Sequence, residues 1–267
     1  MDKFTLSTVD TPIESESEDE YGDESTMLSF RTSHRPLSIT QQNLPINFLL
    51  PSNPEPLSEK YWSEVDAETF NVRSKSYMQT KTKEPSQPSL FRLITVDMVR
   101  VEKPILTGIC SHPDERVQKC LRAEKENEPG SELPPFIFCV NIVIPGTPYY
   151  HLVFYYAVDN YSMIDPDVLK PNSKNASPCP EFTDLAVKFF FGDSDKFRDK
   201  TFKLIPRIAK GNFVVKSAVG SKPTLLGTKV KQHYIQNERF FELIVDVSSD
   251  SIAKKIVKLS RSYVRCF

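Results

Sequence analysis

Apolar and polar positions divide this chain near residue 60. Over residues 1–59, apolar side chains recur with no regular period, and Ser, Thr and Pro are frequent. Such a segment cannot bury enough apolar surface to offset the entropy lost on ordering, so it is predicted to be a disordered leader. Residues 60–267 carry dense apolar runs separated by short polar breaks, a pattern that predicts one folded domain.

The longest apolar stretch, residues 136–158, has turn residues at its centre. Pro145, Gly146 and Pro148 separate FIFCVNIVI from YYHLVFYYAV, two runs of β-branched and aromatic residues that are typical of a β-hairpin. Each run has about ten residues, which is too short for a membrane helix. Both runs are apolar on both faces, so the hairpin is predicted to lie at the centre of a sheet and to be covered on both sides.

Further strands follow from shorter apolar runs. Residues 239–247, RFFELIVDV, alternate with period two, which places Phe241, Leu243, Val245 and Val247 on one face. The same alternation places Glu242 and Asp246 on the opposite face of that strand. Other strands are predicted over 90–99, 202–205 and 212–219.

Two or three helices complete the predicted fold. Residues 181–191, EFTDLAVKFFF, have apolar side chains at helical spacing. Ser111 is expected to cap a helix over residues 112–126, and Ser249 or Asp250 is expected to cap a final helix. Because strands outnumber helices and occur in hairpin-like pairs, the fold class is predicted to be α+β, with a mainly antiparallel, curved β-sheet and a few packing helices.

Charge is balanced over the whole chain but is distributed unevenly along it. The chain has 34 Lys and Arg residues against 35 Asp and Glu residues. Residues 1–30 hold nine acids and one base, whereas residues 197–235 hold nine bases and one acid, Asp199. Ser15 and Ser17 directly precede acidic runs, so they are candidate phosphorylation sites; an unmodified solubilising tail is the alternative.

The basic stretch, residues 197–235, suggests a site for an anion. A Lys or Arg near an anionic leaflet contributes about 1 kcal/mol to membrane binding. Arg198 and Lys203 are the preferred contacts, ahead of Lys229 and Lys231 in a turn. The alternative is that alternate strand residues point to opposite faces and scatter these charges over a solvated surface. The proposed anion-binding residues are Arg198, Lys200, Lys203, Arg207, Lys210, Lys216 and Lys222.

One further charged pair has a predicted structural role. Arg73 and Asp97 both lie in strand-like stretches, where a half-buried arginine usually pairs with a carboxylate. We therefore expect Arg73 and Asp97 to form an ion pair, and ligand binding by Arg73 is the alternative.

Catalytic, metal and nucleic-acid motifs are missing from the sequence. It has no GxSxG elbow, no phosphate loop, no HExxH pair and no motif typical of RNA- or DNA-binding domains. Its five cysteines form no CxxC pair, and the N-terminus has no signal-peptide pattern, so a cytoplasmic location is expected. We predict no catalytic site, no metal and no cofactor, and no nucleic acid is expected as a partner.

Several short motifs are spaced along the folded part. They include Phe70-x-Val72-Arg73, Phe202-Lys203-Leu204-Ile205-Pro206 and Val219-Gly220-x-Lys222-Pro223. In this order the chain, from about Trp62 onward, resembles the Enhanced Disease Resistance 2 C-terminal domain family. It departs from the family at Phe213, where members usually carry Trp, and it lacks the family's final strand, so the C-terminal part is expected to be shortened.

The resemblance implies a lipid context but no reaction. In plant relatives this domain follows a pleckstrin-homology domain and a StAR-related lipid-transfer domain, and neither is recognisable here. We therefore predict a non-catalytic domain, peripheral at a membrane, that contacts anionic lipid or phosphoinositide in a regulatory or trafficking role. The acidic leader is expected to compete for the basic stretch. The alternatives are a module that binds an unknown protein partner, and a carrier of lipid in an apolar cavity walled by residues 136–158.

Overall fold

A five-stranded sheet forms the centre of the protein. The computed structural model describes residues 5–6, 66–127, 133–170, 177, 179–204 and 224–251. In chain order, the strands are β1 (Thr5–Leu6), β2 (Asn71–Arg73), β3 (Lys83–Pro85), β4 (Arg92–Val101), β5 (Phe136–Ile144), β6 (Tyr149–Val158), β7 (Lys203–Leu204), β8 (Thr224–Leu225), β9 (Lys231–Gln236) and β10 (Phe240–Asp246). The helices are α1 (Tyr77–Thr80), α2 (Arg116–Lys125), α3 (Pro180–Phe190) and α4 (Asp195–Thr201).

The order of strands in the main sheet is β4-β6-β5-β10-β9. Three of its four strand pairs are antiparallel, and β5 with β10 is the parallel pair. The predicted hairpin is confirmed: β5 and β6 pair from Phe136↔Val158 to Ile144↔Tyr150 and lie inside the sheet. The predicted α+β class with a mainly antiparallel sheet is also confirmed, and the sheet is open, with β4 and β9 at its edges.

Each face of the sheet carries its own apolar core. On one face, Phe138 and Phe241 pack with Phe189 and Phe190 of α3. On the other face, Tyr155 and its strand neighbours pack with α2. The predicted helix over 181–191 is therefore confirmed as α3, and its apolar stripe is core. Because both faces are covered, the hairpin runs are apolar throughout rather than alternating.

Helix α2 begins four residues later than the sequence predicted. Glu115, not Ser111, is its N-cap, and the Glu115 carboxylate accepts a hydrogen bond of 2.8 Å from Val117 N. The Glu115 side chain accepts from one of the N–H groups that lack a partner at a helix start, a role that Ser, Thr, Asp and Asn fill more often. The predicted start at residue 112 is therefore wrong.

The remaining elements surround the main sheet. Strands β2 and β3 form a separate hairpin, and β7 lies between β1 and β8 in a short three-stranded sheet. The strand predicted over 202–205 is present as β7. The strand predicted over 212–219 and the final helix beyond Ser251 lie outside the described residues, as does the leader apart from β1. No helix within the described ranges is long and apolar enough to cross a bilayer.

Candidate functional site

The preferred residue of the basic stretch, Arg198, is a structural residue. It lies on α4 with 4% of its surface exposed. Its guanidinium donates to Phe189 O (2.7 Å), Gly192 O (2.5 Å), Asp195 Oδ1 (2.7 Å) and Gln236 Oε1 (2.9 Å). Four of its five N–H groups are thereby used inside the protein. Arg198 therefore holds parts of the protein together, which contradicts its expected role as an anion contact.

Aromatic rings close the remaining sides of Arg198. Its guanidinium carbon lies 5.3 Å from the ring centre of Tyr234 and 5.2 Å from that of Phe241. Cations are attracted to ring faces at such distances. Arg198 therefore joins the end of α3, helix α4 and strand β9, and a bound anion could not reach it without displacing these partners.

The other predicted anion contacts fall into two groups. Lys200 is exposed on α4, and Lys203 is half-buried in β7. The role of Lys200 and Lys203 in anion binding stays a prediction. The others, Arg207, Lys210, Lys216 and Lys222, lie outside the described residues, as do Ser15 and Ser17.

A polar cleft lies at the edge of the main sheet. Lys229 and Lys231, which the sequence ranked behind Arg198 and Lys203 as anion contacts, line it. It has a volume of about 360 Å³ and is formed by α4, the start of β9 and the 3₁₀ turns Leu226–Thr228 and Val247–Ser249. We call it the polar cleft. The polar side chains that line it are Asp199, Thr228, Lys229, Lys231, Gln232, His233 and Ser249.

Gly227 and Ser249 hold the walls of the polar cleft together. A Cβ at Gly227 would lie 2.4 Å from Asp199 Cα, so only glycine lets this turn approach α4 so closely. On the other wall, Lys231 N donates to Ser249 Oγ (2.7 Å), and Ser249 Oγ donates to Asp246 O (2.6 Å). These contacts place the exposed side chains of Lys229 and Lys231 around one concavity.

The polar cleft contains more positive than negative groups. Lys229 and Lys231 contribute two ammonium groups against the single carboxylate of Asp199. The buried nitrogen atoms Gln232 Nε2 and His233 Nε2 have no hydrogen-bond partner in the part of the chain that the structure describes. They belong to adjacent residues of β9, so their side chains point to opposite faces of the sheet and cannot both meet one ligand.

Tyr234 moderates the negative charge in the polar cleft. Its hydroxyl lies 2.8 Å from Asp199 Oδ1 and 2.6 Å from Gln232 Oε1. Burial and the hydrogen bond to Asp199 raise the pKa of Tyr234, so the phenol keeps its proton. A phenol has one proton, so it donates to one of these acceptors at a time.

The predicted ion pair of Asp97 exists, but with a different arginine. Arg116 Nε and Nη2 donate to Asp97 Oδ2 (2.6 Å) and Oδ1 (3.0 Å), and the two side chains are 0% and 4% exposed. Arg73 is exposed, and its guanidinium lies 4.5 Å from the ring centre of Tyr77. The predicted Arg73–Asp97 pair is wrong because β2 stands apart from the main sheet, whereas α2 packs directly on β4's face.

A second buried acid lies next to this pair. The Tyr155 hydroxyl and Glu115 Oε1 are 2.6 Å apart, and both side chains are buried. Burial is the main cause that raises the pKa of Glu115 from 4.5 to about 8, and the nearby Asp97 and Glu242 carboxylates raise it further. The hydrogen bonds from Tyr155 and Val117 lower this pKa, but burial outweighs them. Glu115 therefore holds its proton up to about neutral pH.

This raised pKa predicts that stability falls as the pH rises. Between 4.5 and about 8 the unfolded chain releases the Glu115 proton while the folded chain keeps it. The free energy of unfolding should therefore decrease toward pH 8, by up to about 1.4 kcal/mol per pH unit for this one group. Urea unfolding between pH 6.5 and 8 should show this slope, and Glu115→Gln should reduce it to what Glu242, whose pKa burial also raises, contributes.

Above pH 6.5, the effect of Glu115 on stability can be measured without a contribution from His151. Burial lowers the pKa of His151 from 6.5 to about 4, so His151 contributes stability that is lost only as the pH falls through that range. The exposed Glu126→Gln serves as the matched control and should keep the wild-type slope. An equal slope in wild type and Glu115→Gln would show that Glu115 is ionised in the folded protein.

A buried polar chain crosses the centre of the sheet. His151 Nε2 accepts from Ile105 N (3.0 Å), so the neutral ring carries its proton on Nδ1 and donates to Asn141 Oδ1 (2.8 Å). Asn141 Nδ2 donates to Glu242 Oε1 (2.8 Å), and Ile109 N and Cys110 N donate to the same carboxylate. Burial raises the pKa of Glu242, whereas these three donors lower it.

Sequence reasoning did not identify this buried polar chain. Its signal was present: Asn141 and His151 interrupt otherwise apolar strands, and Glu242 lies opposite the apolar face of β10. All three are fully buried, so their role is to connect β5, β6 and β10 rather than to meet a ligand. Within the described residues, no three His, Cys, Asp or Glu side chains converge as metal ligands would.

Comparisons with known proteins agree on one family. The sequence profile described as "Protein ENHANCED DISEASE RESISTANCE 2, C-terminal" matches residues 62–267. The curated Arabidopsis thaliana protein "Protein ENHANCED DISEASE RESISTANCE 2-like" is 32% identical over 198 residues. The match covers 74% of this chain but 23% of that relative, so the chain spans about a quarter of the relative's length. No solved structure matches the chain.

Proposed function

This chain belongs to the Enhanced Disease Resistance 2 C-terminal family, and on that basis we propose that it attaches to membranes by holding an anionic lipid headgroup in the polar cleft. The supporting observation is that the exposed side chains of Lys229 and Lys231 line one cleft against a single carboxylate, Asp199. The domain acts by binding and carries out no reaction of its own. Its place is the cytoplasmic surface of a membrane, in a regulatory or trafficking role.

The chemistry of the polar cleft favours a phosphate group. A phosphate presents several acceptor oxygens and a negative charge, and lysine binds such groups as a flexible point charge. Lys229 and Lys231 flank Val230, so their ammonium groups can approach one anion from two sides. Asp199 opposes the anion, but the cleft keeps a net positive charge because two lysines outweigh one carboxylate.

The expected attachment is weak and sensitive to salt. Each Lys near an anionic leaflet contributes about 1 kcal/mol, so the two lysines of the cleft give roughly 2 kcal/mol. At 0.1 M salt, exposed charges more than about 10 Å apart are largely screened. Binding through the polar cleft should therefore be reversible, and it should be strongest on membranes rich in anionic lipid.

Neutralising the two cleft lysines should weaken membrane binding. Lys229→Ala with Lys231→Ala is expected to reduce binding to phosphatidylserine vesicles by about thirtyfold, which corresponds to about 2 kcal/mol. Co-sedimentation of the full chain at low and moderate salt measures this change. The matched control is Lys103→Ala with Lys125→Ala, which removes the same charge from two other exposed positions and should bind like wild type.

Two further comparisons decide the chemistry of the ligand. Phosphatidylcholine vesicles should bind poorly, since they carry no net charge. A titration with inorganic phosphate in the absence of vesicles shows whether the polar cleft takes a free anion instead of a headgroup. Equal loss of binding in both double variants would overturn the cleft as the site. No binding to any anionic vesicle would move the proposal to a protein-interaction module.

The lipid-carrier alternative receives no support from the hairpin β5–β6. Its side chains pack into the two cores on either face of the sheet, including Phe138 on one face and Tyr155 on the other. A wall for bound lipid would instead have to leave one of these faces open. The polar cleft is lined mainly by polar groups, which also suits a headgroup better than an acyl chain.

A further inference from the structure

The hairpin of β2 and β3, residues 71–85, presents a second surface that shares no residue with the polar cleft. We call it the basic hairpin. Met78 lies on α1 at its tip and is 75% exposed. Within the described residues the large apolar side chains with substantial exposure are Met78, Leu90 and Leu169, and Met78 is the most exposed of them. The apolar side chain of Met78 is therefore exposed to water.

The hairpin that carries the exposed methionine is rich in basic side chains. Arg73, Lys75, Lys81 and Lys83 are all exposed, and Glu84 is the one acid in residues 71–85, so four bases face one acid. Lys75 lies 4.0 Å from Glu181, with side chains 93% and 75% exposed. Ion pairs this exposed are worth little, so Lys75 can still meet another negative group.

The tip of the basic hairpin is held in one shape. Ser74 N and Oγ both donate to Thr82 O (3.2 and 3.0 Å), which closes the base of the tip. Lys81 adopts φ 58°, donates its N–H to Tyr77 O, and donates Nζ to Met78 O (3.1 Å). Arg73 and Lys81 also lie 4.5 and 5.6 Å from the ring centre of Tyr77. The tip thus presents Met78 without further ordering.

We propose that the basic hairpin is the element that enters an anionic bilayer, with Met78 among the lipids and its four cations at the headgroups. An apolar apex with basic flanks matches the bilayer interface, where an acyl layer lies beneath a negatively charged surface. A preformed tip also keeps the ordering cost of attachment low. The inference rests on the proposed membrane function, and it adds an inserting element to the headgroup site of the polar cleft.

A tryptophan at the tip tests insertion directly. In Met78→Trp, the fluorescence of the new indole should shift to shorter wavelength when phosphatidylserine vesicles are added, and brominated lipid should quench it. Leu169→Trp is the matched control, because Leu169 is also an exposed apolar residue but is not part of the hairpin. The chain's single tryptophan, Trp62, contributes the same background to both variants. The control spectrum should not change.

Sedimentation of aspartate variants at the same two positions, together with the wild-type chain, separates the two proposals. Met78→Asp should weaken binding to phosphatidylserine vesicles by about tenfold or more, because it puts a negative charge where the proposal places an apolar side chain among the lipids. Leu169→Asp should bind like wild type. Vesicle binding with no spectral change in Met78→Trp would overturn the basic hairpin alone. Absence of binding by the wild-type chain would overturn both the hairpin and the proposed function.

Discussion

Replacing Arg116 with alanine is expected to lower the free energy of unfolding by about 3–5 kcal/mol. Arg116 is fully buried, and it holds both oxygens of Asp97, which is 4% exposed. Without this guanidinium, the Asp97 carboxylate remains enclosed by the core of α2 and β4 with its main counter-charge removed. Urea unfolding of the full chain, followed by far-ultraviolet circular dichroism, measures the loss.

A double variant shows why Arg116→Ala lowers the free energy of unfolding. Asp97→Leu with Arg116→Met removes both charges and keeps most of the volume, so it should recover much of the stability lost by Arg116→Ala. The exposed pair Lys188–Asp184, 2.7 Å apart on α3, gives the surface comparison. Lys188→Ala should cost at most about 0.5 kcal/mol. A double variant as unstable as the single one would show that packing, not the charge of Asp97, sets the cost.

Arg198→Ala should also be strongly destabilising, by about 2–5 kcal/mol, because it leaves buried acceptors without their donors at roughly 1–3 kcal/mol each. The carbonyl oxygens of Phe189 and Gly192 would lose donors at 2.7 and 2.5 Å, and Gln236 would lose its contact to α4. Arg198→Lys should recover little, since an ammonium cannot serve four acceptors spread around a planar guanidinium. The measurement is again urea unfolding, at neutral pH and fixed salt.

Lys200 provides the matched control for Arg198. It lies two residues further along α4 and is exposed, so Lys200→Ala should change stability by no more than about 0.5 kcal/mol. Unfolding distinguishes the structural role of Arg198 from the ligand role that the sequence suggested. If Arg198→Ala keeps wild-type stability but loses binding to anionic vesicles, then Arg198 contacts the anion, and its internal contacts are dispensable.

The second prediction bears on the polar cleft as well. Arg198 contacts Gln236 at the end of β9, and the next residue on α4, Asp199, lines the cleft. Loss of Arg198 should therefore also disturb the relative position of α4 and β9. Membrane binding by the cleft is best tested with Lys229 and Lys231, whose exposed side chains can be removed without opening the core.

The spacing of apolar residues predicted those strands and helices whose own sequence carries a clear apolar pattern. The hairpin of β5 and β6 was recognisable because turn residues separate two runs of β-branched and aromatic side chains. Helix α3 was recognisable from the helical spacing of its apolar residues, and the apolar face of β10 from alternation. The start of α2 was missed because a glutamate caps it, which is outside the usual preference for Ser, Thr, Asp or Asn.

The sequence by itself therefore determined the class of fold, the central hairpin, the family and the two oppositely charged stretches of the chain. These follow from local pattern, spacing and composition, which need no knowledge of distant contacts. Only the tertiary structure decided the partner of each charge. Asp97 pairs with Arg116 across 19 residues, and Arg198 reaches Gln236 across 38. Electrostatic attraction does not depend on sequence separation, so a basic residue becomes a core contact or a ligand contact according to which elements fold around it.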